Sequence, residues 1–222
     1  MRRLTAVAVS LVVLLVLAVV ADRAAAAVLG RVVDDRLAAA FPGVGSTSTT
    51  VEGIPVLTQV ARGSLDHVVV SLDHVPTSGG LVLDHVDADL YDVSTRAPRT
   101  AARVEAGATV SLAALQARIG DRYVVSAEGD TLVATVADGV PVAARLRPVV
   151  TDGRLSLELV SVSVLGVEVD ASRLPSSFAD RVTALAGSIG RLPLGLVATS
   201  ASVTPAGVVV TATGTDVPLE GA

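Results

Sequence analysis

The N-terminus carries a short basic flank followed by an apolar run of 18 residues. Arg2 and Arg3 precede Leu4–Ala21, in which Thr5 and Ser10 are the only polar residues, and Asp22 and Arg23 end the run. This pattern is typical of a secretory signal peptide or of a single membrane anchor. The alanines at 24–27 suit signal cleavage, so both alternatives stay open. We expect residues 1–23 to be that targeting segment and residues 24–222 to form one domain, with the basic flank in the cytoplasm and the remainder exported.

An amphipathic pattern follows the apolar run. Between Arg23 and Phe41, apolar residues recur every four positions, at Leu29, Val33, Leu37 and Phe41. This spacing predicts a helix with one buried stripe, and Pro42-Gly43 ends it. Cleavage among the alanines would remove only the first turn of this helix.

After Gly45 the period changes to the two-residue alternation of β-strands. Turn sequences such as Ser78-Gly79-Gly80, Asp138-Gly139 and Asp152-Gly153 separate the strands. Because the links are short, we expect antiparallel pairing. Around 154–169 the apolar residues change parity, which predicts a bulge or a change of strand. The predicted strands are 46–52, 65–74, 81–94, 99–106, 122–127, 131–137, 140–149, 154–160, 162–169, 195–203 and 207–213.

Two further helices interrupt the strands. The first, 111–119, begins at the N-cap candidate Ser111 and ends at Gly120. The second, 175–189, begins at a proline and carries one apolar stripe, formed by Phe178, Val182, Leu185 and Ile189. The predicted fold class is therefore α+β, a mainly antiparallel sheet with helices against one face.

Composition excludes several classes of function. Apolar residues make up 51% of the chain, but it has only two tyrosines, two phenylalanines, no tryptophan and no cysteine, and every basic residue is arginine. Disulfides, thiolate metal sites, cysteine nucleophiles and lysine-dependent chemistry are thereby excluded. A net charge of −5 and the scarcity of aromatics argue against nucleic acid as a partner.

The polar residues offer no catalyst. All three histidines lie in a repeated Leu-Asp-His-Val, at 65–68, 72–75 and 83–86. On a strand each histidine points away from the face of its neighbouring aspartate, so we expect solvated sheet surface and no metal site. No Gly-x-Ser-x-Gly nucleophile elbow is present, so we predict no enzyme and no cofactor. Arginines flank the strand ends and suit either a lipid phosphate or ordinary solubility, at Arg62, Arg96, Arg99 and Arg103.

One segment resembles a known family. The run from Val51 to Gly63, VEGIPVLTQVARG, is followed by the strand LDHVVV and resembles the signature of the LmeA-like phospholipid-binding proteins of the actinobacterial envelope. Ile54 and Val56 stand where that signature has aromatics. Glu105–Gln116, Leu192–Leu196 and Val203–Gly214 agree as well.

The resemblance implies an exported, membrane-associated phospholipid-binding protein of the outer face of the plasma membrane or the periplasm, which supports lipoglycan or envelope lipid assembly. It also implies a BPI-like (TULIP-type) curved sheet wrapped on the long N-terminal helix and a second helix near the C-terminus. Phospholipid or another diacyl lipid and the membrane are the expected partners. The expected turn of the family motif comprises Gly53, Pro55, Leu57, Thr58, Gln59 and Gly63. The expected groove-lining residues are Leu29, Val33, Leu37, Val68, Val70, Leu72, Val86, Leu90, Leu155, Leu157, Leu159, Phe178, Val182, Leu185 and Ile189.

Two alternatives stay open. A structural or interaction domain of the envelope would share this fold but have a filled core. An acyl-processing enzyme would depend on His67, His74 or His85.

Overall fold

A computed structural model describes residues 2–40, 42–77, 81–137, 141–173 and 193–219. The helices are α1 (Arg2–Ala40), α2 (Val56–Arg62) and α3 (Leu112–Ile119), with 3₁₀ turns at Ala171–Arg173 and Pro193–Gly195. The strands are β1 (Ser46–Glu52), β2 (Ser64–Pro76), β3 (Val82–Ser94), β4 (Thr100–Ser111), β5 (Tyr123–Glu128), β6 (Thr131–Val136), β7 (Val142–Thr151), β8 (Arg154–Val164), β9 (Val167–Asp170), β10 (Val197–Thr204) and β11 (Gly207–Pro218).

The strands form two antiparallel sheets. The first has the order β1-β2-β3-β4-β11-β10 and the second the order β5-β6-β7-β8-β9. The α+β class and the antiparallel pairing are thus confirmed. The expected single, strongly curved sheet wrapped on the helix is wrong, because β4 pairs with β11 rather than with β5 and the chain begins a second sheet there. Neither sheet is strongly curled.

The segment 154–169, where the apolar residues change parity, contains a bulge and a turn. The register of β7 and β8 shifts so that Leu146 pairs with Leu159 and Arg145 with Ser161, which leaves Val160 as the extra residue. The predicted strand 162–169 is broken by Leu165 and Gly166, both at positive φ, and continues as the hairpin strand β9.

Helix α1 is continuous for 39 residues. By length and composition this helix is able to cross a membrane. Its C-terminal half packs on the first sheet, where Leu29 and Leu37 contact the buried residues of β1 and β2. Gly30 permits this approach, since a Cβ there would lie 2.5 Å from the carbonyl oxygen of Thr49.

The long helix and the second sheet pack near opposite edges of the first sheet, on the same face, since Leu72 beneath α1 is in register through Val86 and Ala108 with Val210 beneath the second sheet. Helix α1 contacts β1, which is one edge of the first sheet, whereas β7 and β8 contact β10, the other edge. Three clusters of buried residues result: one between α1 and the first sheet, one between the two sheets, and a small one around Ala101, Val104 and Val217.

Part of the predicted architecture lies outside the described residues. This applies to the helix 175–189 with Phe178, Val182, Leu185 and Ile189, and to Phe41. Within the described ranges, α2 and α3 span 7 and 8 residues, so α1 is the one long helix there.

Candidate functional site

An apolar seam lies where the two sheets meet. It contains a cavity of about 50 Å³ between β4, α3 and β11 on one side and β6, β7 and β8 on the other. Ser156 supplies the one hydroxyl group of its lining, and the other lining side chains are aliphatic, which suits a hydrocarbon. The lining residues are Leu81, Val110, Leu115, Leu132, Pro148, Leu155, Ser156, Leu157, Val208 and Val210.

The expected groove-lining residues divide between two places. Leu155 and Leu157 line the seam. Leu159 is buried on the same strand but not in the lining, and Val33 of α1 is half-buried. Phe178, Val182, Leu185 and Ile189 lie outside the described residues. The remaining expected residues pack together between α1 and the first sheet, at Leu29, Leu37, Val68, Val70, Leu72, Val86 and Leu90.

Most residues that line the seam were not among the expected groove-lining residues. Leu115, Leu132, Val208 and Val210 belong to elements that were predicted as a helix or as alternating strands, whereas Val110 lies beyond the predicted strand 99–106, in the part by which β4 is longer. Their alternation showed which face is apolar. It could not show that this face meets a second sheet, because the partner of a strand face is a non-local property.

The expected motif turn lies at the end of the first sheet, beside α1. Gly53 and Gly63 have φ values of 87° and 88°, which favour glycine and place short helix α2 between β1 and β2. Val56 is completely buried in the core beneath α1. Gln59 is 2% exposed, and its side-chain amide donates to the Glu52 carbonyl at 3.2 Å and accepts from the Asp66 N–H at 2.9 Å.

Helix α1 is bonded directly to this turn. The Leu57 N–H donates to Asp22 Oδ1, and the Arg23 guanidinium donates to the Gly53 carbonyl, both at 2.8 Å. Asp22 is only 3% exposed and also accepts from Arg23 at 2.8 Å. The Arg23 hydrogen bond, followed by the Leu57 N–H, lowers the pKa of Asp22, so the carboxylate stays charged at neutral pH.

The second short helix, α3, is held by a similar set of hydrogen bonds. Ser111 caps α3, as its spacing predicted, by accepting from the Ala114 N–H at 3.1 Å. Gln116 lies four residues before the C-cap Gly120, as Gln59 does before Gly63. Its amide donates to the Gly120 carbonyl and accepts from the Val125 N–H, both at 2.9 Å, which joins α3 to β5.

Two histidines lie on the polar face of the first sheet. His67 is hydrogen-bonded between Glu52 and Asp89, at 2.9 and 2.8 Å. Partial burial lowers its pKa, but the hydrogen bonds to Asp89 and Glu52 outweigh that effect, so the pKa of His67 is raised. The ring also stacks on Tyr91, with centroids 4.6 Å apart.

His85 occupies a matching position between Asp73 and Asp87. Its ring nitrogens lie 2.6 and 2.8 Å from these carboxylates, and the hydrogen bond to Asp73 is the main cause of its raised pKa. His74 has a positive φ and contributes, as the smallest cause, to the lowered pKa of the same Asp73. Within the described parts of the chain, no group of three potential ligands is arranged to hold a metal ion.

The arginines at the strand ends bond within the chain. Arg62 pairs with Asp66 at 2.9 Å, and Arg96 donates to the Ala61 carbonyl. Arg103 lies over the Tyr91 ring at 4.2 Å and near Glu105 at 3.4 Å. Arg62 and Arg96 therefore lie beside the motif turn, whereas Arg103 belongs to the polar sheet face.

Comparison with known proteins gives one match. The family model described as LmeA-like phospholipid-binding matches residues 20–213. No curated protein and no solved structure matches the chain. The matched range includes the last residues of the apolar run, the motif turn and the whole of the seam.

Proposed function

Because the chain belongs to the LmeA-like phospholipid-binding family, we propose that it binds phospholipid through acyl chains inserted into the seam between its two sheets. The observation that carries the proposal is the chemistry of the seam, whose lining is aliphatic except for Ser156. Each methylene that leaves water for such a lining stabilises the complex by about 0.8 kcal/mol. No covalent chemistry is needed, and the protein holds lipid rather than converting it.

The seam must open to accept an acyl chain. An apolar cavity of about 150 Å³ holds one benzene molecule, so the cavity of about 50 Å³ holds at most the end of a chain. The second sheet contacts the first mainly through β10, at the edge of the first sheet. Separation of β7 and β8 from β10 and β11 would widen the seam without breaking pairing within either sheet.

We further propose that α1 is kept as a membrane anchor. Cleavage among the alanines at 24–27 would remove Asp22 and Arg23, which hold the motif turn through Leu57 and Gly53. The family match also begins before these alanines, at residue 20. A retained anchor places the domain on the outer face of the plasma membrane, where it would support envelope lipid or lipoglycan assembly.

The test compares two valines of equal exposure. Val210 lines the seam and Val70 lies beneath α1, and each is 9% exposed. The full chain is purified, and bound phospholipid is measured by native mass spectrometry and by uptake from vesicles. We expect Val210→Phe to lose lipid while Val70→Phe keeps it, provided that far-UV circular dichroism shows both variants folded. A native chain that neither retains phospholipid nor takes it from vesicles would overturn the proposal.

A second candidate function is favoured by the small size of the cavity. A domain with a closed interior would serve as a structural or interaction module of the envelope, and about 50 Å³ agrees with such an interior. The same measurement separates the candidates, because a closed domain carries no lipid and Val210→Phe then changes nothing but stability.

A further inference from the structure

We propose that the exposed face of α2 and its entry turn rests on the bilayer that α1 crosses, so that the family motif seats the domain on the membrane. We call this surface, formed by Ile54, Leu57 and Val60, the α2 collar. The inference rests on the membrane anchoring proposed above. It adds a contact surface that is separate from the lipid-holding seam.

The α2 collar exposes large apolar side chains that the fold does not need. Ile54 is 70% exposed, Leu57 47% and Val60 37%. Leu57 and Val60 are three positions apart and share one face of the helix. The adjoining face of the helix supplies the core contacts, through Val56 and Gln59. Ile54, Leu57 and Val60 therefore leave apolar surface exposed beside the buried face of α2, and the packing of the domain does not use it.

The bonds to α1 fix where the collar lies relative to the membrane. The apolar run of 18 residues from Leu4 to Ala21 rises about 27 Å as a helix, close to the thickness of a bilayer's hydrocarbon core. Asp22 is the first charged residue after that run, and it accepts a hydrogen bond from the Leu57 N–H. The collar therefore begins at the level where α1 leaves the hydrocarbon.

The polar residues around the collar suit the headgroup region. Arg23 donates to the Gly53 carbonyl, and Arg96 packs across Gly63 and donates to the Ala61 carbonyl. Arg62 is 62% exposed beside its partner Asp66. Guanidinium groups bind phosphate with planar, bidentate geometry, and apolar side chains flanked by arginine are typical of membrane interfaces. A bilayer surface satisfies both chemistries at once.

The test uses single labels on the full chain. Because the protein has no cysteine, each introduced cysteine carries one environment-sensitive fluorophore at a known site. The labelled sites are Ile54 and Leu57 in the collar, Val16 in the apolar run, and Leu165 and Val124 on the second sheet. Leu165 and Val124 are matched controls, with exposures of 70% and 54%. The proteins are reconstituted into vesicles of phosphatidylethanolamine and phosphatidylglycerol that contain lipids spin-labelled near the headgroup.

We expect lipid quenching and a blue-shifted emission at Ile54 and Leu57, and neither at Leu165 and Val124. Quenching at Val16 without quenching at Ile54 and Leu57 would overturn the collar while leaving the anchor in place. Absence of quenching at Val16 would overturn the anchoring and the collar together. Equal quenching at the collar and at the second-sheet controls would also overturn the inference, since the contact would not then be specific to α2.

Discussion

The buried amide of Gln59 allows a direct test of how the motif turn is held. Replacement by leucine keeps a similar volume but removes both hydrogen bonds, so the Glu52 carbonyl and the Asp66 N–H lose their partner. Each group left without a partner at this site, where Gln59 is 2% exposed, costs about 1–1.5 kcal/mol. The apolar side chain of leucine, now buried, recovers about 1 kcal/mol. We therefore expect Gln59→Leu to lower the free energy of unfolding by roughly 1–2 kcal/mol.

Gln116 provides the matched comparison. Its side chain also bridges two backbone segments, with hydrogen bonds that include those to Gly120 and Val125. Unlike Gln59, it is only half-buried. Water can replace those bonds when the amide is removed, so we expect Gln116→Leu to cost less than about 1 kcal/mol.

The measurement is urea unfolding of the full chain in mild detergent. The protein has no tryptophan, so far-UV circular dichroism follows the loss of the sheets. We expect the two variants to have a similar dependence of the unfolding free energy on urea concentration, and Gln59→Leu to have the lower midpoint. A larger loss for Gln116→Leu than for Gln59→Leu would refute it, because burial would then not decide the cost of the missing bonds.

Three further predictions concern packing and pH. Gly30→Ala should lower the free energy of unfolding by about 1–3 kcal/mol in urea unfolding, because the added Cβ would meet the Thr49 carbonyl. This loss is expected although alanine forms helices better than glycine. The control Gly107→Ala should be neutral to stabilising, because no atom lies within 4 Å of the Cβ it would add. The raised pKa values of His67 and His85 give the fold stability that is complete below pH 6.5 and is lost as pH rises through the higher folded values. The unfolding midpoint should therefore fall as pH rises above 6.5, and a double glutamine variant whose midpoint fell as steeply would contradict this. Leu155 is 4% exposed and lines the seam. Leu155→Ala should lower the free energy of unfolding of the lipid-free protein by about 3 kcal/mol, as measured by thermal unfolding. The difference from the native chain should be smaller once both proteins are loaded with lipid.

Local signals in the sequence identified the individual elements well. The four-residue spacing from Leu29 to Leu37 marks the buried stripe of α1, and Ser111 and Gly120 bound α3. The Gly53–Gly63 segment was expected as a turn, and within it Val56–Arg62 form the short helix α2, which ends at Gly63. In each case the determining interactions lie within a few residues of one another, so the local pattern contains them.

Contacts between distant segments were not predictable in the same way. The pairing of Val210 with Ala108 joins β11 to β4, which are separated by about a hundred residues of chain. Strand β5 therefore begins the second sheet instead of extending the first. The contact of Asp22 with Leu57 turns the end of an apolar run into a part of the fold. Neither residue carries a local sign of its partner.

The sequence by itself determined an apolar segment able to cross a membrane, an α+β domain of antiparallel strands, and interior faces made of aliphatic side chains, because hydrophobic periodicity records which side of each element is buried. The resemblance in Val51–Gly63 further indicated the family. Only the tertiary structure decided that the aliphatic faces meet in a seam between two sheets, and that Asp22 joins the apolar helix to α2. Both depend on which face packs against which, and that choice is made by the free energy of the whole fold rather than by any one segment.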